Sequence, residues 1–289
     1  MKKNISLMQT EKKVEHSIEL IQKAEKLALY YQDYGFHLAF SGGKDSQVVY
    51  ELAKMAGVKF RAFMSITTID HPEVMRFVRK NYPDVTFIHP KFNFYDLIIK
   101  MKCLPTRKMR YCCKYLKEQA GINSVVMTGI RREESIKRSE RNEFEISPHK
   151  YSNTFDQFNI DFESKIVCMG KKDKIIFNPI IDWTYNDVWN FISEKKLEYC
   201  SLYDEGFNRI GCIFCPMTSK KIKSLQRKRY PRIEKRIKDA IRELVKINHY
   251  GSKLGCDVDM IFDWWVSNER VDKYISKLMQ YKIEYPEKK

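Results

Sequence analysis

No apolar run in this chain of 289 residues reaches the length of a membrane span, and the lysines of its opening stretch, MKKNISLMQTEKK, are not followed by an apolar leader segment. Membrane-spanning and secretory readings fall away, and a cytoplasmic location without a membrane partner is the expectation. Internal repeats and low-complexity tracts are also missing, which removes repeat architectures. Acidic residues are the scarcer sign. Lys plus Arg number 53 against 37 Asp plus Glu, a net charge of +16 with a pI near 9.3. That imbalance favours polyanionic partners, with a solvated basic surface as the plain alternative. Eight cysteines without a secretion signal read as thiols or metal ligands rather than a disulfide framework. What is present is a hydrophobic content of 43%, with 17 Phe and 17 Tyr, enough for a sizeable core.

The stretch HLAFSGGKDSQVVYELAK, from His37 to Lys54, places a buried-strand pattern (Phe36 to Phe40) before a turn of small residues and then helix-favouring apolar spacing. A helix start offers backbone N–H groups without intrahelical partners and the positive end of the helix dipole, so an anion there meets several aimed donors. Gly42 and Gly43 allow close approach of the main chain, Ser41 and Ser46 add hydroxyls, and Lys44 adds a charge. The segment is not a G-x-x-x-x-G-K-[ST] loop, because Gly43-Lys44 is followed by Asp45 and Leu38 stands five residues before Gly43. An anion site is the reading that uses all six residues. Asp45 has two candidate roles, holding Mg²⁺ beside a phosphate or capping the helix.

Residues 10–34 read as an amphipathic helix through Val14, Ile18, Ile21, Ala24 and Leu27. Strands are expected at 59–66, 84–90 and 123–130, with a short helix in HPEVMRFVRKNYP. IIFNPIIDWTYNDVWNFISEK reads as a strand and then a helix capped by Thr184, with Asp187 three residues on. Alternating strands and helices predict an α/β fold with a doubly wound parallel sheet, whose ligands bind at the carboxyl ends of strands. From Arg138 to Lys174 periodicity weakens, and a long polar excursion over the site is expected. Beyond Pro216 the chain turns helical and basic, with twelve Lys or Arg against three acidic residues between Lys220 and Lys246. The expected organisation is a helix over 1–34, a nucleotide-binding domain with the cysteines over 35–218, and a basic helical extension over 219–289.

Cys112-Cys113 and the C-x-x-C of Cys212 and Cys215 form a second constellation. Two such pairs supply four soft thiolates, suited to zinc or iron–sulfur. Adjacent cysteines are awkward for a zinc ribbon, which favours iron–sulfur; a buried pair beside a redox pair is the plain alternative. Cys103, Cys168 and Cys200 stand alone and read as core residues.

SGGKDS matches the PP-loop of the adenine-nucleotide alpha-hydrolase superfamily. The succession SGGKDS, RYCCKYLK, GIRREES with Arg138 following, PIIDWTYNDVW and YDEGFNRIGCIFCP resembles the phosphoadenosine phosphosulfate (PAPS) reductase family over roughly residues 30–220. The resemblance implies ATP or an adenylyl sulfate held by Ser41, Gly42, Gly43, Lys44, Asp45 and Ser46, with Gly129 and Arg131 on the nucleotide or sulfate. Lys44, Asp45 and Arg131 are then the candidates for catalysis. Arginine's planar fork suits bidentate binding of phosphate or sulfate. The tandem cysteines with C-x-x-C are similar to the 4Fe–4S site of the adenylyl sulfate reductase branch and of ATP pyrophosphatases in DNA phosphorothioation, which implies ligation by Cys112, Cys113, Cys212 and Cys215.

The sequence departs from the reductases of that family in lacking their C-terminal E-C-G-[IL]-H segment, which carries the attacking thiol. Cys256, in KLGCDVDM, is the sole cysteine after the C-x-x-C pair and has none of those neighbours. The leading expectation is therefore an ATP pyrophosphatase that activates an acceptor, DNA or RNA, for sulfur transfer from a donor protein. The alternatives are a thioredoxin-linked adenylyl sulfate or PAPS reductase using Cys256, and a non-enzymatic nucleotide and iron–sulfur sensor or accessory subunit.

Overall fold

In the computed structural model, residues 2–147, 174–249, 251 and 255–284 are described. The elements in chain order are α1 (Lys2–Tyr31), β1 (Phe36–Ala39), α2 (Lys44–Ala56), β2 (Phe60–Ser65), α3 (Pro72–Asn81), β3 (Thr86–Ile88), α4 (Phe94–Met101), α5 (Tyr111–Leu116), β4 (Val125–Met127), α6 (Ile136–Ser139), β5 (Phe144–Ser147), β6 (Lys174–Phe177), α7 (Tyr185–Glu194), α8 (Lys220–Arg229), α9 (Pro231–Asn248), α10 (Val258–Ser267) and α11 (Val271–Glu284). None of the described helices is long and apolar enough to cross a membrane.

The chain divides into two compact units. The first takes the described parts of Met1–Ser65, Pro72–Ile88 and Gln119–Ile210. It holds a six-stranded sheet in the order β3-β2-β1-β4-β6-β5, parallel except for β5, which runs antiparallel to β6. Strands buried on both faces read as continuous apolar runs, and β4, Val-Val-Met, is buried at every position. Helix α1 lays Ile21, Ala24, Leu27 and Ala28 into the core and packs against α2 and α7. Helix α2 ends on Gly57, whose φ of +70° is the left-handed C-cap that glycine adopts at little cost. Helix α7 begins in a reciprocal capping box: Asp187 N–H donates to Thr184 Oγ1 at 3.2 Å and Thr184 N–H to Asp187 Oδ2 at 2.7 Å.

The expected polar excursion from Arg138 is corrected at its start. It opens with the end of α6 and then forms β5, because Phe144 and Ile146 turn inward and Phe144 stacks on Phe177 at 4.4 Å. Four residues are too few to show a strand period by themselves. The rest of the excursion, with Cys168, lies outside the described residues.

The second unit gathers Ile66–His71, His89–Glu118 and the described part of Gly211–Lys289. Helix α9 begins with Pro231 at its first position, where the missing N–H costs nothing, and packs against α4, α8 and α10. Phe94, Leu97 and Ile98 of α4, Ile237, Ile241 and Leu244 of α9, and Phe262 and Trp265 of α10 form its core. The Trp265 indole N–H donates to Pro105 O at 2.6 Å, which satisfies the one polar atom of that buried ring.

Candidate functional site

β1 and β4 are neighbours at the point where the strand order turns outward in both directions, and such a switch point opens a crevice at the carboxyl ends of the strands. The loop Ser41–Gly43 leaves β1 there and the segment Thr128–Arg131 leaves β4. Gly42 has φ +69°, and a Cβ on it would stand 2.6 Å from Val78 Cγ2, so no side chain fits this turn. Gly43 is the N-cap of α2. Ser46 locks the turn from inside: its hydroxyl donates to Gly43 O at 2.8 Å and accepts from Ser41 N–H at 3.2 Å. Gly129 lies against the first turn of α2, where an added Cβ would be 2.8 Å from the Asp45 carbonyl. Its role in the geometry is close packing of the β4 exit on α2.

Lys44, Asp45 and Arg131 come together. Lys44 Nζ donates to Asp45 Oδ2 at 2.7 Å and Arg131 Nε to Asp45 Oδ1 at 2.8 Å, with Lys44 only 2% and Arg131 only 3% exposed. Arg131 also reaches Glu133 Oε2 at 2.9 Å and the Trp183 carbonyl at 3.4 Å. Burial pushes the Lys44 ammonium below its usual range; Asp45 opposes this, and Arg131 and Arg209 add to it. Lys44 and Arg131 share Asp45, and Arg131 also pairs with Glu133, so a phosphate or sulfate at this point would compete with carboxylates for two buried cations. Both Asp45 oxygens are held by cations, so the carboxylate as placed does not fit a Mg²⁺ ligand.

Tyrosines that spacing did not single out complete this region. The Lys44 backbone N–H donates to Tyr203 Oη at 2.9 Å, and Lys44 Nζ stands 5.4 Å from the centre of the Tyr185 ring. Tyr203 packs edge-on against Trp189 at 5.2 Å, and Trp189 against Tyr199 at 5.1 Å. The block YDEGFNRIGCIFCP carried Tyr203 and Arg209 as a sequence signal, but nothing in its spacing assigned them to the loop.

In the second unit, Cys112 and Cys113 occupy the first turn of α5, and Cys212 and Cys215 form a turn in which Cys215 N–H donates to Cys212 O at 3.3 Å. The four thiols lie near enough to shift one another. Cys112, hydrogen-bonded to Cys113, half-buried and close to the charges of Cys113, Cys212 and Cys215, is held strongly protonated. Cys113 is pulled down to about 5, first by the Cys112 hydrogen bond and then by Arg110, whose guanidinium donates to its Sγ at 3.4 Å. The charge and hydrogen bond of Cys212 push the Lys117 ammonium up. Lys223 is fully buried on α8, donating to Val266 O at 3.2 Å and Asn268 Oδ1 at 2.8 Å; burial lowers it to about 8, against the opposing pull of Cys215.

The C-x-x-C turn contains a strained residue. Phe214 has φ +55°, a left-handed conformation that a bulky side chain adopts only under constraint. The constraint is visible: the ring is fully buried against Phe262 at 5.5 Å, and the N–H donates to Gln226 Oε1 at 2.9 Å. Gln226 in turn meets His71 Nε2 at 3.3 Å, whose Nδ1 lies 2.9 Å from the Tyr230 hydroxyl.

This donor set has the chemistry of four-thiolate ligation with cations beside it. Among the described residues, however, no three His, Cys, Asp or Glu side chains are drawn up around the position of a single metal ion. Cys256 is half-buried before α10, its N–H donating to Gly251 O at 3.3 Å. Of the basic residues on α8 and α9, Lys220, Arg227, Lys238, Arg242 and Lys246 are ion-paired with carboxylates. Lys221, Lys228, Arg232, Lys235 and Arg236 are exposed.

Residues 35–218 match the phosphoadenosine phosphosulfate reductase domain, and the chain belongs to that family. It is 28% identical over 238 residues to an uncharacterized protein of Methanocaldococcus jannaschii, a match covering 75% of this chain and 52% of that one. A probable FAD synthase of Schizosaccharomyces pombe is 28% identical over 183 residues, covering 63% and 60%. An adenosine 5′-phosphosulfate reductase of Lysinibacillus sphaericus is 26% identical over 208 residues, covering 66% and 78%. The chain thus spans between about half and three fifths of the length of the first two relatives.

Proposed function

We propose that the protein is an enzyme that binds an adenine nucleotide at the head of α2 and acts on its α–β phosphate region, as an ATP pyrophosphatase that activates a nucleic-acid acceptor for sulfur transfer. The observation that carries this reading is the buried convergence of Lys44 and Arg131 on Asp45 at the β1/β4 switch point. An acceptor oxygen bonds to the α-phosphorus as the bond to pyrophosphate breaks, the electron pair leaving with the pyrophosphate. Lys44 and Arg131 neutralise the charge that grows on the leaving group, and the α2 dipole adds to them. Asp45 holds the two cations together, one on each carboxylate oxygen. Any Mg²⁺ arrives on the nucleotide phosphates, since Asp45 would have to release a cation to hold it.

Cys112, Cys113, Cys212 and Cys215 are proposed to hold a 4Fe–4S cluster, a reading supported by the chemistry of a four-thiolate donor set. Such a cluster supplies an electron-transfer or ordering centre. Arg110 and Lys117 balance thiolate charge there. The exposed basic residues of α8 and α9 suit a nucleic-acid backbone. The relatives named adenosine 5′-phosphosulfate reductase support a second reading, a reductase of adenylyl sulfate with Cys256 as its thiol.

Calorimetric titration with ATP and with adenylyl sulfate tests the core of the proposal. Lys44→Ala should weaken ATP binding about ten- to a hundredfold, the loss of one charge-assisted contact; unchanged affinity would leave the loop purely structural. Pyrophosphate release stimulated by DNA or RNA, with binding that falls steeply as salt rises, supports the acceptor. Sulfite release from adenylyl sulfate that disappears in Cys256→Ser would replace the first reading by the second.

A further inference from the structure

We propose that the Tyr203 hydroxyl occupies the place of a phosphate oxygen at the head of α2, and that a bound nucleotide takes the Lys44 backbone N–H from it, which makes Tyr203 an affinity-setting residue. This rests on the nucleotide reading above. The first N–H groups of a helix have no intrahelical acceptor and are the donors an incoming anion meets. In α2 that first donor, Lys44 N–H, is given to Tyr203 Oη at 2.9 Å. The same oxygen lies 3.4 Å from where a Cβ on Gly43 would stand, so it sits in the mouth of the glycine turn and not beside it. The Gly43 N–H is likewise given to a hydroxyl, Ser41 Oγ, at 3.4 Å.

A hydroxyl is a neutral acceptor. A phosphate oxygen forms a charge-assisted bond, roughly twice as strong, and would also gain Lys44 and Arg131 as neighbours. Exchange therefore runs toward the phosphate, but against a competitor already in place. Burial holds the Tyr203 phenol strongly protonated, so it competes as a hydroxyl and never as an anion. The ring it belongs to touches Trp189 at 5.2 Å, which turns any displacement of the hydroxyl into a change around an indole.

The test compares the full chain with Tyr203→Phe, titrated with ATP, with inorganic pyrophosphate and with adenosine, each protein also being melted alone. Tyr203→Phe should bind ATP and pyrophosphate about two- to tenfold tighter, because one net hydrogen bond no longer has to be exchanged. Adenosine, which has no phosphate, should show no difference. Saturating pyrophosphate should also change the tryptophan emission of the unsubstituted chain, and Trp189→Phe should remove that change. Equal or weaker pyrophosphate binding by a natively melting Tyr203→Phe overturns the proposal. If that variant fails to fold, an unchanged tryptophan emission of the unsubstituted chain at saturating pyrophosphate overturns it as well. A chain that binds neither ATP nor pyrophosphate sinks the nucleotide reading, and this one with it.

Discussion

The anion loop of the first unit and the cysteine pairs of the second are assembled on opposite principles. The loop is a local strand, glycine turn and helix start that Arg131 joins from the distant exit of β4, with its charges already paired in Lys44–Asp45–Arg131. The cysteine set joins a short helix to a distant turn, holds a bulky residue in a left-handed conformation, and places four thiols beside Arg110 and Lys117, with the Asp70 carboxylate acting on both Lys117 and Cys212. A site with internal counter-ions stands by itself and waits for a ligand to compete for its charges. The cluster proposed for the four thiols would instead draw folding free energy from the iron that binds them all.

That contrast is sharpest under cysteine substitution. Protein prepared without oxygen should be brown with four irons per chain, and Cys212→Ala or Cys215→Ala should lose the colour, the iron and the protection of the second unit in hydrogen exchange. ATP binding by the first unit should survive. A colourless protein with stoichiometric zinc would break the comparison. Asp45→Ala should act on the other side: it leaves Lys44 and Arg131 buried without their shared carboxylate, a loss of about 3 kcal/mol or more in urea unfolding. Unaltered stability would show that these pairs are not what holds the loop.

A smaller effect concerns pH. His37, stacked on Phe63 at 4.2 Å, is lowered to about 4 by burial and by the charge of Lys174. The unfolded chain takes up this proton near 6.5 and the folded one only near 4. The contribution is therefore complete above about pH 6.5 and drains away as pH falls toward 4, to a limit of about 3 kcal/mol. Urea unfolding of the first unit at pH 7 and pH 4.5 should show the decline, and His37→Phe should flatten it.

The strand–loop–helix of residues 36–56 was legible because its signals are neighbours: an apolar run, two glycines, then apolar spacing. The sheet class followed from the alternation of elements, and the Thr184 cap from a three-residue spacing. What could not be read depends on contacts between distant residues. Arg131 meets Asp45 across 86 positions and Tyr203 meets Lys44 across 159, so pairing had to wait for the fold. β5 is invisible for the same reason, since its four residues become a strand only beside β6. The cysteine pairs stood out as residue types, while Gln226, His71 and Lys223, which set their surroundings, resemble any polar residue on a helix or loop.

The second unit is stitched from three separated stretches, with Cys112 and Cys113 in one and Cys212 and Cys215 in another. During synthesis the first pair therefore emerges about a hundred residues before the second, an interval of roughly 5 to 20 seconds at the usual pace of a ribosome. For that time two adjacent thiols wait without their partners, the more exposed to oxidation or to stray metal the longer translation takes. If the four cysteines hold the proposed cluster, slowing elongation between the two pairs should lower the yield of iron-loaded protein even though the amino-acid sequence is untouched.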